Sequence, residues 1–74
     1  MDVKVIIHSL GGNRYVAEVP GLSVANTEAG SPEEAAEGAM EMASLYLEPK
    51  EPEFIRFEVV HADGVPYESP RSRG

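Results

Sequence analysis

The chain has 74 residues, which is enough for one small domain and too few for a second. It contains no cysteine, so disulfides and thiolate metal sites are excluded, and oligomerisation is the remaining way to gain extra burial. Thirteen acidic and six basic residues give a formal net charge of −7. This charge disfavours nucleic acid as a partner and favours either basic proteins or simply solubility.

The sequence gives no sign of a membrane segment. Its first eight residues are too few and too charged for a signal peptide, and no run approaches the ~20 apolar residues of a membrane span. Together with the absence of cysteine, this pattern leads us to expect a cytoplasmic protein.

The first part of the chain predicts three strands. Apolar and polar residues alternate through residues 3–7, a pattern typical of a strand with one buried face. Gly11 and Gly12 favour a reversal into a second strand over residues 14–19. A shorter third strand is predicted at about residues 23–28.

A helix is predicted to start at Ser31. The serine can cap free amide groups, Pro32 suits the first helical position and Glu34 can complete a capping box. Pro49 and Pro52 should stop the helix. Its expected apolar stripe consists of Ala36, Ala39, Met40, Ala43, Tyr46 and Leu47.

The remaining residues predict a last strand and a tail. Ile55, Phe57 and Val59 alternate with charged residues, so residues 54–61 are typical of a strand. We expect one domain over residues 1–61 and a flexible tail over residues 62–74, apart from a possible turn at Asp63 and Gly64.

These elements define an α+β fold with the order β-β-β-α-β. A meander of three strands followed by a right-handed crossover through the helix predicts a mixed sheet in the order 3-2-1-4, with the helix on one face. Ile6 and Val16 would then lie on the open face. They form either a self-association surface, which we favour, or ordinary scattered surface hydrophobes.

No arrangement of residues predicts catalysis or metal binding. The only bases available to the serines are His8 and His61, and no serine has the spacing or flanking glycines of a nucleophile elbow. The two histidines should lie at the same end of neighbouring strands but on opposite faces, which makes a poor metal site. Repeated helix acids are usually solvated. We therefore predict no catalytic residue, no cofactor and no metal.

Two motifs at a fixed separation resemble the HicB-like antitoxin family. They are Tyr-Val-Ala-Glu-Val-Pro-Gly at residues 15–21 and Ser-Pro-Glu-Glu-Ala at residues 31–35, followed by a helix ending in Leu-Tyr-Leu-Glu at residues 45–48. The resemblance covers residues 1–48. It implies a degenerate ribonuclease-H-like fold without the nuclease carboxylates, used to bind and mask a small basic ribonuclease toxin of the HicA type.

The resemblance is greatest to short, stand-alone members of that family. Residues 62–74 contain neither of the DNA-binding segments that typical members carry, so no direct DNA binding is expected. Asp2 with Glu34 or Glu37 could correspond to a nuclease acid pair. Metal-dependent nucleases need more converging carboxylates, and the sequence indicates no third acid for such a site.

We therefore expect a non-enzymatic, homo-oligomeric module that binds a basic protein. Ile6, Val16, Glu37 and Glu41 are the predicted contact residues for self-association or for the partner. The alternatives are a stand-alone oligomeric domain and a small ligand-binding or enzymatic subunit with its site near His8 and His61.

Overall fold

The computed structural model describes residues 2–47 and 55–67 of the chain. Its regular elements, in chain order, are β1 (Asp2–Gly11), β2 (Arg14–Glu18), a 3-10 turn (Ser23–Ala25), β3 (Thr27–Ala29), α1 (Pro32–Leu47) and β4 (Arg56–His61). The described strands form one mixed sheet in the order β3-β2-β1-β4, in which β1 and β4 are parallel and the other pairs are antiparallel. The predicted α+β class and strand order are confirmed.

The β1–β2 hairpin depends on its two adjacent glycines. Gly11 and Gly12 have φ angles of 95° and 60°, which glycine adopts without the steric cost that a Cβ atom imposes. The strand register shifts between Ser9 and Gly11, so Leu10 is an extra residue in β1. The hairpin reverses where the sequence predicts that it should.

The start of α1 is set by the side chain of Ser31. The Glu34 amide donates a hydrogen bond to Ser31 Oγ at 3.1 Å, and the Ser31 hydroxyl donates to Glu34 Oε1 at 3.3 Å. Pro32 is the first helical residue, where its missing amide hydrogen costs nothing. The predicted start is confirmed, whereas the predicted stop at Pro49 and Pro52 lies outside the described residues.

The third strand is shorter than the sequence predicts. Residues 23–25 form the 3-10 turn, and the strand covers Thr27–Ala29 only. The Val19 amide donates to Asn26 Oδ1 at 2.9 Å, and the Asn26 amide donates to the Ser23 carbonyl at 3.1 Å. These local bonds compete with strand pairing, and the resulting turn buries Ala25.

The core is formed by a row of alanines on α1. Four helical alanines are buried, Ala35, Ala36, Ala39 and Ala43. Three of them, Ala35, Ala39 and Ala43, form one cluster with Val3, Val5, Ala17, Val19 and Ala25. Because alanine has no atoms beyond Cβ, the helix axis can lie close to the sheet. Met40 and Leu47 of the predicted stripe pack half-buried against this core, whereas Tyr46, also expected in the stripe, is 46% exposed.

The helix covers the sheet unequally. It packs mainly on β1, β2, β3 and the 3-10 turn. Phe57 and Val59 of β4 lie on the helix side of the sheet, as predicted, and pack against the core, but they remain half-buried.

The chain continues along the sheet edge beyond β4. The His61 amide donates to the Val65 carbonyl at 2.7 Å, and Pro66 pairs with Val60. A turn at residues 62–64 makes this possible, because Gly64 has a φ of 89° and Asp63 Oδ1 accepts the Val65 amide. The domain boundary predicted after His61 therefore falls inside a short hairpin, and residues 68–74 lie outside the described part.

We expect Gly38→Ala to destabilise the fold, although alanine is the better helix former. A Cβ atom at Gly38 would lie 2.7 Å from Cγ2 of Thr27, whose hydroxyl is held by a hydrogen bond to the Ala25 carbonyl. Overpacking costs about 1–3 kcal/mol, while the helix-propensity gain is about 1 kcal/mol. Urea unfolding should show a free energy of unfolding lower by about 1 kcal/mol.

The matched control is the same substitution in a Thr27→Ser background. Serine keeps the hydroxyl and removes the methyl group that a Cβ atom at Gly38 would meet, so Gly38→Ala should then be neutral or stabilising. If Gly38→Ala changes the free energy of unfolding equally in both backgrounds, Gly38 does not pack closely against the Thr27 methyl group.

Candidate interaction surfaces

The open face of the sheet has a small apolar centre. Ile6, Val16 and Val60 lie on it, and the register places Ile6 beside Val60 on one side and Glu18 on the other. All three apolar side chains are half-buried. The predicted positions of Ile6 and Val16 on this face are confirmed. Val60 was missed, although its β-branched side chain follows Val59 and must therefore point to the opposite face.

The charges on the open face nearly balance. Each described lysine or arginine lies near an acid: Arg14 Nε donates to Glu28 Oε2 at 2.7 Å, Arg56 Nε lies 4.0 Å from Asp2 Oδ1, and Lys4 is the strand partner of Glu58. The fourth acid, Glu18, has its Oε1 atom 2.9 Å from His8 Nε2. The ion pairs are exposed and contribute little to stability, but they cancel most of the local field.

The helix side carries charge of one sign. Glu33, Glu34, Glu37 and Glu41 all belong to α1, which contains no lysine or arginine. All lysines and arginines in the described part of the chain lie on β1, β2 and β4, with their side chains on the open face. Glu37 and Glu41 are exposed, as predicted. The fold therefore separates a balanced sheet face from an acidic helix side.

Exposed apolar side chains gather at the C-terminal half of α1. Leu45 is 63% exposed, Tyr46 46% and Met42 37%, and Val24 of the adjoining 3-10 turn is 50% exposed. We call these four residues the α1 patch. Sequence analysis missed Met42, Leu45 and Val24 as surface features. Met42 and Leu45 are three residues apart and outside the alanine stripe, which is the signal that could have indicated them.

The two histidines lie at one end of the sheet but on opposite faces. His8 contacts Glu18, whereas the His61 ring packs edge-on against Tyr67 with the ring centroids 5.5 Å apart. The cleft at this end is lined by Ile7, Ser9, His61, Ala62 and Asp63 and does not include His8. Among the described residues, this cleft therefore does not join the two histidines.

The acids that could have formed a nuclease pair do not converge. Asp2 begins β1 and lies near Arg56 on the open face, whereas Glu34 is in the first turn of α1, at the opposite end of the sheet. Within residues 2–47 and 55–67, no three His, Asp or Glu side chains form a group that could hold a metal ion. Ser31 is occupied in capping α1.

Comparison of the chain with protein-family models, with curated proteins and with solved structures finds no match. The described part of the chain also contains no helix that is long and apolar enough to cross a membrane. Any inference about function therefore rests on the charge and exposure of the surfaces described above.

The exposure of the α1 patch predicts that it contributes little to folding. We expect Leu45→Ser to change the free energy of unfolding by less than about 0.5 kcal/mol, as is usual for surface sites. Val5→Ala, at a fully buried position, should cost about 1–3 kcal/mol in the same urea titration. A large loss of stability in Leu45→Ser would mean that the patch is covered in solution.

Proposed function

We propose that this chain is a non-enzymatic, cytoplasmic protein-binding module that resembles a HicB antitoxin and masks a small basic ribonuclease toxin of the HicA type. The degenerate ribonuclease-H-like HicB fold belongs to the same proposal, and the strand order is compatible with it. The observation that carries the proposal is the separation of charge, with four glutamates and no basic residue on α1.

The mechanism follows from electrostatics. A ribonuclease needs cationic side chains to hold the phosphates of RNA, and an acidic protein surface attracts the same cations. Once the acidic helix side of this chain occupies them, RNA loses its binding site. Long-range attraction would also speed association, particularly at low salt. Glu37 and Glu41 are exposed on α1 and are the residues we assign to this contact.

Charge reversal on α1 should weaken toxin binding. We expect Glu37→Lys with Glu41→Lys to lower the affinity for a HicA-type toxin from the same genome by about tenfold or more, because rim charges govern attraction. Isothermal titration calorimetry measures the affinity, and cleavage of a labelled RNA by the toxin reports the loss of masking.

The matched control reverses two acids on the sheet face, Asp2→Lys with Glu58→Lys. Both residues are exposed, and this pair changes the net charge of the chain by the same amount. If both double variants lose equal affinity, overall charge is responsible and α1 is not the contact surface. If the unaltered chain neither binds such a toxin nor protects RNA from it, the antitoxin proposal fails.

A second candidate, a stand-alone oligomeric domain, is favoured by the open sheet face. Its apolar centre of Ile6, Val16 and Val60 is surrounded by balanced charges, so two copies can approach there without the repulsion expected from a net charge of −7. Self-association would also add burial to a domain that has a small core. This role is compatible with toxin binding, because the helix lies on the other face.

We expect Ile6→Lys to dissociate the oligomer. A charge at the centre of the open face would have to be desolvated when a second copy covers it. Sedimentation velocity should show the unaltered chain as an oligomer and Ile6→Lys as a monomer, with unchanged circular dichroism. Leu45→Lys on α1 is the control and should leave the oligomer intact. If Leu45→Lys is a monomer and Ile6→Lys remains an oligomer, the contact between copies lies on the helix side instead.

A further inference from the structure

We infer that the α1 patch, together with the acids beside it, is the docking site for a basic amphipathic helix of the partner protein. This inference rests on the proposed function and deepens it, since it states which surface and which partner chemistry are involved.

The α1 patch is not required by the fold. The buried residues of α1 are alanines that end at Ala43, whereas Met42, Leu45 and Tyr46 expose between about a third and two thirds of their surface. Methionine and tyrosine are enriched in protein interfaces, and contiguous exposed apolar residues mark contact sites. Methionine also adapts its shape to different partners.

The acids lie along the same side of α1 as the patch. Glu34, Glu41 and Leu45 are separated by seven and four residues, so they follow one stripe of the helix, about 16 Å long at 1.5 Å per residue. The stripe is acidic toward its N-terminal end and apolar toward its C-terminal end. A complementary partner therefore needs apolar anchors followed by lysine or arginine one to two turns away.

The charge decides against a second copy as the occupant. Two copies meeting through the α1 patch in a two-fold arrangement would place the same glutamate-rich helix on both sides of the contact. Like charges facing each other oppose association. A basic amphipathic helix, laid across α1 with its apolar face on Leu45 and Met42, satisfies both the apolar and the acidic parts of the stripe.

The probe is an 18-residue synthetic peptide of leucine and lysine with all leucines on one helical face. Two companion peptides replace either every lysine with glutamate or every leucine with glutamine. Each is titrated into the full-length, nitrogen-15-labelled chain and followed by NMR. We expect the leucine–lysine peptide alone to bind, with the largest shifts at Val24, Met42, Leu45 and Tyr46.

Variants then test which side chains hold the peptide. Met42→Ser with Leu45→Ser should weaken binding by about tenfold or more, as expected for central apolar contacts. Val65→Ser is the matched control, because Val65 is 53% exposed but lies beside His61, at the other end of the sheet. It should leave the affinity unchanged. The inference would be overturned if the peptide's largest NMR shifts centred on Ile6, Val16 and Val60. It would also be overturned if the double variant and Val65→Ser lost equal affinity for the peptide.

The same variants separate this inference from the proposed function. Suppose that a HicA-type toxin binds the Met42→Ser, Leu45→Ser double variant as tightly as the unaltered chain, but that charge reversal of Glu37 and Glu41 abolishes its binding. The docking site is then wrong and the proposed function stands. If no such toxin binds while the leucine–lysine peptide still occupies the patch, the docking site stands and the toxin is not its occupant.

Discussion

The close contact between the alanine face of α1 and the sheet sets the spacing of the two layers of this fold. Alanine and glycine let the helix approach β3 until Gly38 has no room for a methyl group beside Thr27. A core built in this way is thin: its largest buried side chains among the described residues are Ile7 and three valines, Val3, Val5 and Val19. Among the larger apolar residues of the same helix, Met40 and Leu47 pack half-buried against this core, whereas Met42, Leu45 and Tyr46 are exposed.

The topology then sorts the charges. Strand alternation puts the described lysines and arginines on the open face, each near an acid, while the helix brings only glutamates to the other side. A net charge of −7 could have been spread evenly over the surface. Among the described residues, the four glutamates of α1 give the helix side a direction for long-range attraction, and the nearly balanced sheet face leaves a second surface suitable for contact between copies.

The described acids and histidines do not converge on one site. His8 and His61 are separated by the sheet, and Asp2 and Glu34 by its length, although His8 does lie within hydrogen-bond distance of Glu18. Catalysis needs such groups within hydrogen-bond reach of one reacting atom. Binding needs only extended complementary surface, and the acidic and apolar stripe on α1 offers that.

Local sequence signals were enough to predict the glycine turn, the cap at Ser31 and the alternating strands, and chain connectivity predicted the strand order. How far the helix reaches across the sheet depends on tertiary packing, and so do the exposure of Tyr46 and the partial burial of Phe57. Residues 23–25 form a turn instead of pairing because hydrogen bonds involving Asn26 compete with the ladder, and no periodic pattern in the sequence indicates those bonds. Periodicity shows which residues share a face, but coverage of that face depends on the distance and angle between packed elements.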